Sequence, residues 1–294
     1  MRTELFDYEL PRELIAAEPA ERREASRLLV LHRGETPRLE HRRFADIDDY
    51  LRPGDLLVVN DSRVLRARVR GVRAATGGQV ELLLLERVGS ARTPESSCDT
   101  WTALARPARR MRTGEELLFG TGGDTSGGAS LRARVTGEGE GGLRTVEFAT
   151  PDLLPWLDRL GEIPLPPYIE QRRKELAAAG LLPQVDDAVR YQTVYARTPG
   201  SVAAPTAGLH FTPELLQRLR ERGIKSVPVT LHVGPGTFKP VETETITEHP
   251  MHSERFSISP ETAEVVNRAR REGRRVVAVG TTSVRALESA AVTA

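Results

Sequence analysis

The stretch LRPGDLLVVNDSRVLRARVRGV, residues 51–72, holds two kinds of strand back to back. Its first half, LLVVN (56–60), is a short apolar run of the sort buried on both faces in an α/β sheet. DSR (61–63) turns the chain, and VLRARVRGV (64–72) follows. There Leu65, Ala67 and Val69 alternate with Arg66, Arg68 and Arg70. Side chains alternate across a strand, so three guanidinium groups share one face and the apolar residues the other. A two-sided strand passing directly into a one-sided one predicts that a second domain begins near residue 63.

Downstream, QVELLLLERV (79–88), WTALARP (101–107), ELLFG (116–120), LRARVTG (131–137) and LRTVEFA (143–149) read as short strands. Gly- and Ser-rich loops such as GTGGDTSGGAS (120–130) separate them, with no helix between. This pattern predicts a small antiparallel β-barrel over 63–150. After Pro151 helices alternate with strands. FTPELLQRLRERG (211–223) supplies Thr212 as N-cap, Pro213 at the first helical position, leucines on one face and Gly223 as the stop. KSVPVTLHV (225–233) is a strand, ISPETAEVVNRARREG (258–273) repeats the helix punctuation, and RRVVAVG (274–280) is a strand leading into TTSVRALES (281–289). The expected architecture is an α/β core domain, 1–62 plus 151–294, with an inserted antiparallel β-barrel domain, 63–150.

The 294 residues carry 42 Lys+Arg against 41 Asp+Glu, so no global charge marks a nucleic-acid or membrane partner, and any such surface is local. A single cysteine, Cys98, excludes an intrachain disulfide framework and a cysteine-rich zinc site. No run reaches the length of a membrane span and the N-terminus lacks a signal-peptide apolar core, so a cytoplasmic protein without membrane partner is expected.

Four of six histidines, His210, His232, His249 and His252, fall beside strand ends or loops within about forty residues, where α/β proteins build sites. Each one alone reads as an ordinary polar residue; together they suit proton transfer near neutral pH. A metal site is the rival, since Glu248 and Glu254 flank His249 and His252. Pro250 between the two histidines denies them a shared helix, and no HExxH pattern occurs. VGPGTF (233–238) lacks the third glycine and following helix of a dinucleotide fingerprint. VGTTSVRALES (279–289) puts Thr281 and Thr282 at a helix N-terminus after a strand, which suits an anionic group or merely caps the helix. On the barrel, Arg63, Arg66, Arg68, Arg70 and Arg73, with Arg106, Arg109, Arg110 and Arg112, form either a solvated face or phosphate contacts.

GSVAAPTAGLHFT (200–212), LHVGPGTFKPV (231–241), HPMHSE (249–254) and VGTTSVRALES resemble the signature segments of the S-adenosylmethionine:tRNA ribosyltransferase-isomerases of queuosine biosynthesis. The resemblance extends through FDYELPRELIAAEPAERREASRLLVL (6–31), residues 51–71, WTALARPARRMRTG (101–114), GEIPLPPYI (161–169) and RYQTVYA (190–196), lapsing at 89–99 and 120–130. It implies transfer and rearrangement of the ribosyl part of S-adenosylmethionine onto the aminomethyl group of a 7-deazaguanine at the tRNA wobble position. Epoxyqueuosine forms, and adenine and methionine are released. S-adenosylmethionine is then a consumed substrate, with no cofactor and no metal, and the enzyme is expected to be a monomer. The implied site takes His210 as general acid–base residue with His232 as partner. Thr206, Ala207, Gly208, Gly234, Gly236, Thr281 and Thr282 hold S-adenosylmethionine, Arg285 lies near an anionic group, and Arg66, Arg68, Arg70, Arg109 and Arg110 meet tRNA. Family members usually continue past the 281–289 helix with a TNFHLP run and an end resembling SYGDAML. Without them, uncovered apolar surface, low stability and weak activity are expected. That leaves a catalytically impaired tRNA- or nucleotide-binding module as the alternative, and a metal-dependent hydrolase as a third class.

Overall fold

The computed structural model describes residues 1–34, 36–92, 97–120, 130–181, 184–238 and 241–293. Most of the loops at 89–99 and 120–130, and Lys239 and Pro240 of the 231–241 motif, therefore lie partly or wholly outside the described residues. The strands, in chain order, are β1 (Arg27–His32), β2 (Arg38–Arg43), β3 (Leu56–Asn60), β4 (Ser62–Val64), β5 (Arg68–Arg73), β6 (Gln79–Arg92), β7 (Ser97–Arg106), β8 (Glu116–Phe119), β9 (Leu131–Glu138), β10 (Leu143–Phe148), β11 (Gly161–Glu162), β12 (Thr198–Ser201), β13 (Lys225–Leu231), β14 (Phe256–Ser257) and β15 (Val276–Ala278). The helices are α1 (Leu154–Leu160), α2 (Pro167–Ala178), α3 (Asp187–Arg190), α4 (Pro213–Glu221), α5 (Pro260–Arg271) and α6 (Thr281–Thr293). The chain divides into two compact units, one of residues 1–63, 165–199 and 203–294, the other of 64–164 and 200–202.

The first unit is α/β. Its four-stranded sheet has the order β14-β13-β3-β15, with β13 and β15 both parallel to β3 and β14 antiparallel to β13. All five residues of β3 are buried, because side chains leave it toward two cores. Leu56 and Val58 meet Val266 and Ala269 of α5 and Ala286 of α6; Leu57 meets Leu215 and Leu219 of α4. The N-caps read from the sequence are made. Thr212 Oγ1 accepts the Leu215 N–H at 3.1 Å and Ser259 Oγ the Thr262 N–H at 3.2 Å. Gly223 and Gly273, just past α4 and α5, sit at φ of 79° and 69°, the left-handed conformation that lets a helix end there. Beside β15, an edge strand among the described residues, Val276, Ala278, Val284 and Leu287 line a groove of about 940 Å³. No helix among the described residues is long and apolar enough to cross a membrane.

The second unit is a closed antiparallel barrel. Its strands run β5-β6-β7-β10-β9-β8, and pairing of β5 with β8 joins the ends. Alternation fills the interior: Leu82, Leu84, Trp101, Ala103, Leu117, Val135, Val146 and Phe148 are buried in one cluster. Leu65, Ala67 and Val69 point into it and their arginine neighbours do not, as the period of two requires. This unit continues beyond Thr150, where the sequence placed the return to the α/β core, as far as Pro164. Leu153 and Leu157 complete the barrel core, the Leu153 N–H donates to the buried Asp99 carboxylate at 3.0 Å, and β11 adds to β5. A break in texture at Pro151 signalled a helix, but not which core that helix would cover.

Candidate active site

Residues 206–210 form a single 3-10 turn, and its geometry gives His210 a defined tautomer. His210 Nδ1 lies 3.1 Å from the Ala207 carbonyl oxygen. A carbonyl only accepts, so Nδ1 carries the hydrogen and a neutral ring keeps its lone pair on Nε2. The ring packs on Phe44 at 5.3 Å between centroids, which restrains its orientation. Gly208 is buried beneath: a Cβ there would stand 2.1 Å from the Tyr195 hydroxyl oxygen, so only glycine lets the turn close over that half-buried phenol. A Cβ on Gly280 would lie 3.2 Å from the Ala207 Cβ. The turn therefore abuts the amino end of α6, and Ala207 is brought together with the Gly-Thr-Thr segment. Thr206 and Thr281 are exposed, and Thr282 Oγ1 is buried with no hydrogen-bond partner among the described residues.

His232 follows the last residue of β13, as the sequence indicated, and is half-buried. Burial holds its pKa below the usual imidazole value, and the nearby Asp61 carboxylate works in the opposite sense. Its Nδ1 is buried without a hydrogen-bond partner among the described residues. No hydrogen bond or ring contact joins His210 to His232 among the described residues.

The turn after His232 is bound to a second segment. The His232 N–H donates to the Arg255 carbonyl at 3.0 Å and the Gly234 N–H to Glu254 Oε1 at 2.9 Å. Arg285 of α6 pairs with the same Glu254 carboxylate and donates to the His252 carbonyl. Arg285, expected near a substrate anion, thus faces a carboxylate of the protein itself. A Cβ on Gly236 would meet the His252 ring at 2.4 Å, whereas one on Gly234 would have only Glu254 Oε1 at 3.9 Å. Gly236→Ala is accordingly expected to cost about 1–3 kcal/mol by overpacking, and Gly234→Ala less than about 0.5 kcal/mol. Urea denaturation of the pair checks this ordering; equal costs would refute it. Among the described residues no group of three or more His, Cys, Asp or Glu side chains is placed to hold a metal ion.

Sequence reasoning missed the support beneath His232. Asn60, fully buried at the end of β3, donates from Nδ2 to the Leu231 carbonyl at 3.0 Å. Its Oδ1 accepts the N–H groups of Leu231 and Ser62 at 3.0 and 3.1 Å. Asp61 accepts the Thr230 hydroxyl at 2.6 Å. A polar pair closing an otherwise apolar strand was the available signal, since buried Asn and Asp need partners.

On the barrel the arginines separate into two groups. Arg68 lies 3.9 Å from Glu81, and Arg70 lies 3.5 Å from Glu81 and 3.2 Å from Glu162. Arg66 is half-buried. Arg109 and Arg110 stand exposed on the 3-10 turn after β7, with no carboxylate within ion-pair distance among the described residues. Phosphate contact suits this second group better, because its charge is not already met.

A mixed four-stranded sheet with helices packed on it, the chain passing after β3 into a closed barrel, defines an α/β protein with an inserted barrel. The family model described as Queuosine biosynthesis protein matches residues 3–294, and the chain belongs to that family. A relative from Moorella thermoacetica named S-adenosylmethionine:tRNA ribosyltransferase-isomerase is 52% identical over 294 residues, 99% of this chain and 78% of its own length. One of the same name from Symbiobacterium thermophilum is 48% identical over 292 residues, covering 99% of this chain and 77% of its own. A crystal structure titled S-adenosylmethionine tRNA ribosyltransferase, from Thermotoga maritima, covers 97% of this chain and 72% of its own at 35% identity, with a TM-score of 0.41.

Proposed function

We propose that the chain is an S-adenosylmethionine:tRNA ribosyltransferase-isomerase. It moves and rearranges the ribosyl group of S-adenosylmethionine onto the aminomethyl group of a 7-deazaguanine at the tRNA wobble position, with release of adenine and methionine. S-adenosylmethionine is the consumed substrate, no cofactor takes part, and the enzyme works as a cytoplasmic monomer. The observation that carries the reading is the contact of the His210 turn with the amino end of α6 through Ala207 and Gly280. It sets a base of fixed tautomer beside helix N–H groups that favour an anion.

The sulfonium of S-adenosylmethionine acidifies the neighbouring C5′ hydrogen. His210 Nε2 accepts that proton, and the imidazolium returns one to the leaving adenine. His232, held neutral by burial, is the second proton acceptor, for the attacking tRNA amine. Thr206, Ala207 and Gly208 form the wall of the S-adenosylmethionine site, and Thr281 and Thr282 with the α6 N–H groups take the methionine carboxylate. Gly234 and Gly236 let the backbone approach the sugar.

Incubating the protein with S-adenosylmethionine and tRNA carrying 7-aminomethyl-7-deazaguanine, then measuring free adenine, tests the reading. The family relationship favours turnover over the impaired binding module, which would bind tRNA and release no adenine. His210→Ala is expected to suppress release; wild-type turnover would remove His210 from the mechanism. Exchanging Arg109 and Arg110 for Glu is expected to weaken tRNA binding and lower its log–log salt slope by about 0.9 for each phosphate no longer neutralised, with S-adenosylmethionine binding unchanged. An unaltered slope would move the tRNA surface elsewhere.

A further inference from the structure

We infer that Arg285 is a positioning residue for the turn carrying His232, acting through Glu254, and not a receptor for a substrate anion. The inference rests on the proposed reaction. β13 ends at Leu231, and β14 pairs with it only at Thr230↔Ser257 and Leu231↔Phe256. Beyond that point the turn leans on residues 252–255. Two links are direct: His232 N–H to the Arg255 carbonyl, and Gly234 N–H to Glu254 Oε1. They flank His232 from its own amide and from two residues on, so the position of Glu254 sets the direction in which the ring leaves the chain.

Arg285 fixes Glu254 in turn. Its Nη1 bonds Glu254 Oε2 while Nη2 bonds the His252 carbonyl, so one guanidinium grips both the carboxylate and the backbone two residues before it. The Glu254 side chain is only 10% exposed, and there a carboxylate requires a partner. An arginine whose charge is met in this way offers little net attraction to a second anion. The fit of Gly236 under the His252 ring closes the same assembly, leaving no room for a side chain. Helix α6 therefore serves the reaction twice: its amino end faces the ligand, and a residue one turn further along holds the His232 turn in register.

The test compares Arg285→Ala, Arg285→Lys, Glu254→Gln and the Arg285→Ala/Glu254→Gln double variant with the wild type in adenine release. Positioning predicts kcat down at least ten-fold in Arg285→Ala and in Glu254→Gln, with KM for S-adenosylmethionine within about two-fold. It also predicts a double variant no worse than the poorer single one, as for residues acting as a unit. Partial recovery of kcat is expected in Arg285→Lys. An anion receptor predicts the reverse, a KM raised ten-fold or more in Arg285→Ala at unchanged kcat and no loss in Glu254→Gln; that result overturns the inference. Amide hydrogen exchange at Gly234 is read in parallel on the folded variants. Faster exchange in both single variants is expected whether or not the wild type turns over, and unchanged exchange also overturns the inference. A wild type that releases no adenine, with Gly234 exchange still responding, would fault the assigned reaction and leave the latch standing.

Discussion

Replacing His232 by Asn is expected to lower adenine release by about 10²–10⁴-fold, the usual contribution of a positioned acid–base group. Half-burial at the end of β13 disfavours the charged ring, so its pKa falls below the ordinary histidine value of about 6.5. At neutral pH the ring is then an acceptor and not a donor. The pH profile separates this role from a structural one. If His232 must be neutral, its acid limb in kcat/KM lies below about pH 6.5 and drops out of the His232→Asn profile, which keeps only what the other proton acceptor contributes. Asp61 works against the shift, so Asp61→Asn is expected to lower the pKa further and move the limb to lower pH. A profile unmoved by Asp61→Asn and unchanged in His232→Asn would assign the limb to another group.

The same shift has a stability consequence of definite sign. Between the folded-state value and about pH 6.5 the unfolded chain binds more protons at this position than the folded one. The contribution is therefore fully present above the unfolded value and is lost as pH falls through that window. Toward acid, urea denaturation should show the wild type losing stability relative to His232→Asn; parallel curves would contradict the assigned direction.

Elements governed by local rules were legible in the sequence. The four apolar residues of β3 announced burial on both faces, the alternation in 65–70 announced a barrel wall, and Thr212 and Ser259 announced helix starts. The β1–β2 hairpin and α2 were not read from the sequence. The hairpin exposes Leu29, Leu31 and Leu39, and α2 buries no residue, so neither carries the apolar periodicity on which such reading depends. At the site, loops and candidate side chains could be named but their partners could not. Nothing in HPMHSE says that Glu254 turns to the Gly234 amide, or that Arg285, thirty-one residues later, grips it. Those pairings exist only after β13 and β14 are side by side. The arginine face shows the same limit: a period of two put Arg68 and Arg70 outward, while Glu81 reaches them only because β5 pairs with β6.

Asn60→Ala is expected to destabilise the α/β unit by on the order of 4 kcal/mol. Asn60 ends β3, where its backbone partner in β13 is Val229, and its side chain carries the connection two residues further by bonding both the N–H and the C=O of Leu231. Truncation leaves those two groups and the Ser62 N–H without their partner, and each buried polar group so stranded costs about 1–3 kcal/mol. Against a whole-domain stability of about 5–15 kcal/mol, one side chain then accounts for a large share. Asn60→Asp separates geometry from volume: it keeps both accepted bonds, loses the donor to Leu231 and buries a charge, so it too should destabilise, although no cavity forms. The functional consequence follows from place. Leu231 is the last residue before His232, and once its amide and carbonyl are released the strand end that aims the ring is no longer held by β3. Turnover per folded molecule, measured well below the unfolding midpoint, should therefore fall along with stability. An Asn60→Ala protein within about 1 kcal/mol of wild type would mean that water replaces the amide at little cost, and undiminished turnover per folded molecule would mean that β14 alone holds His232 in place.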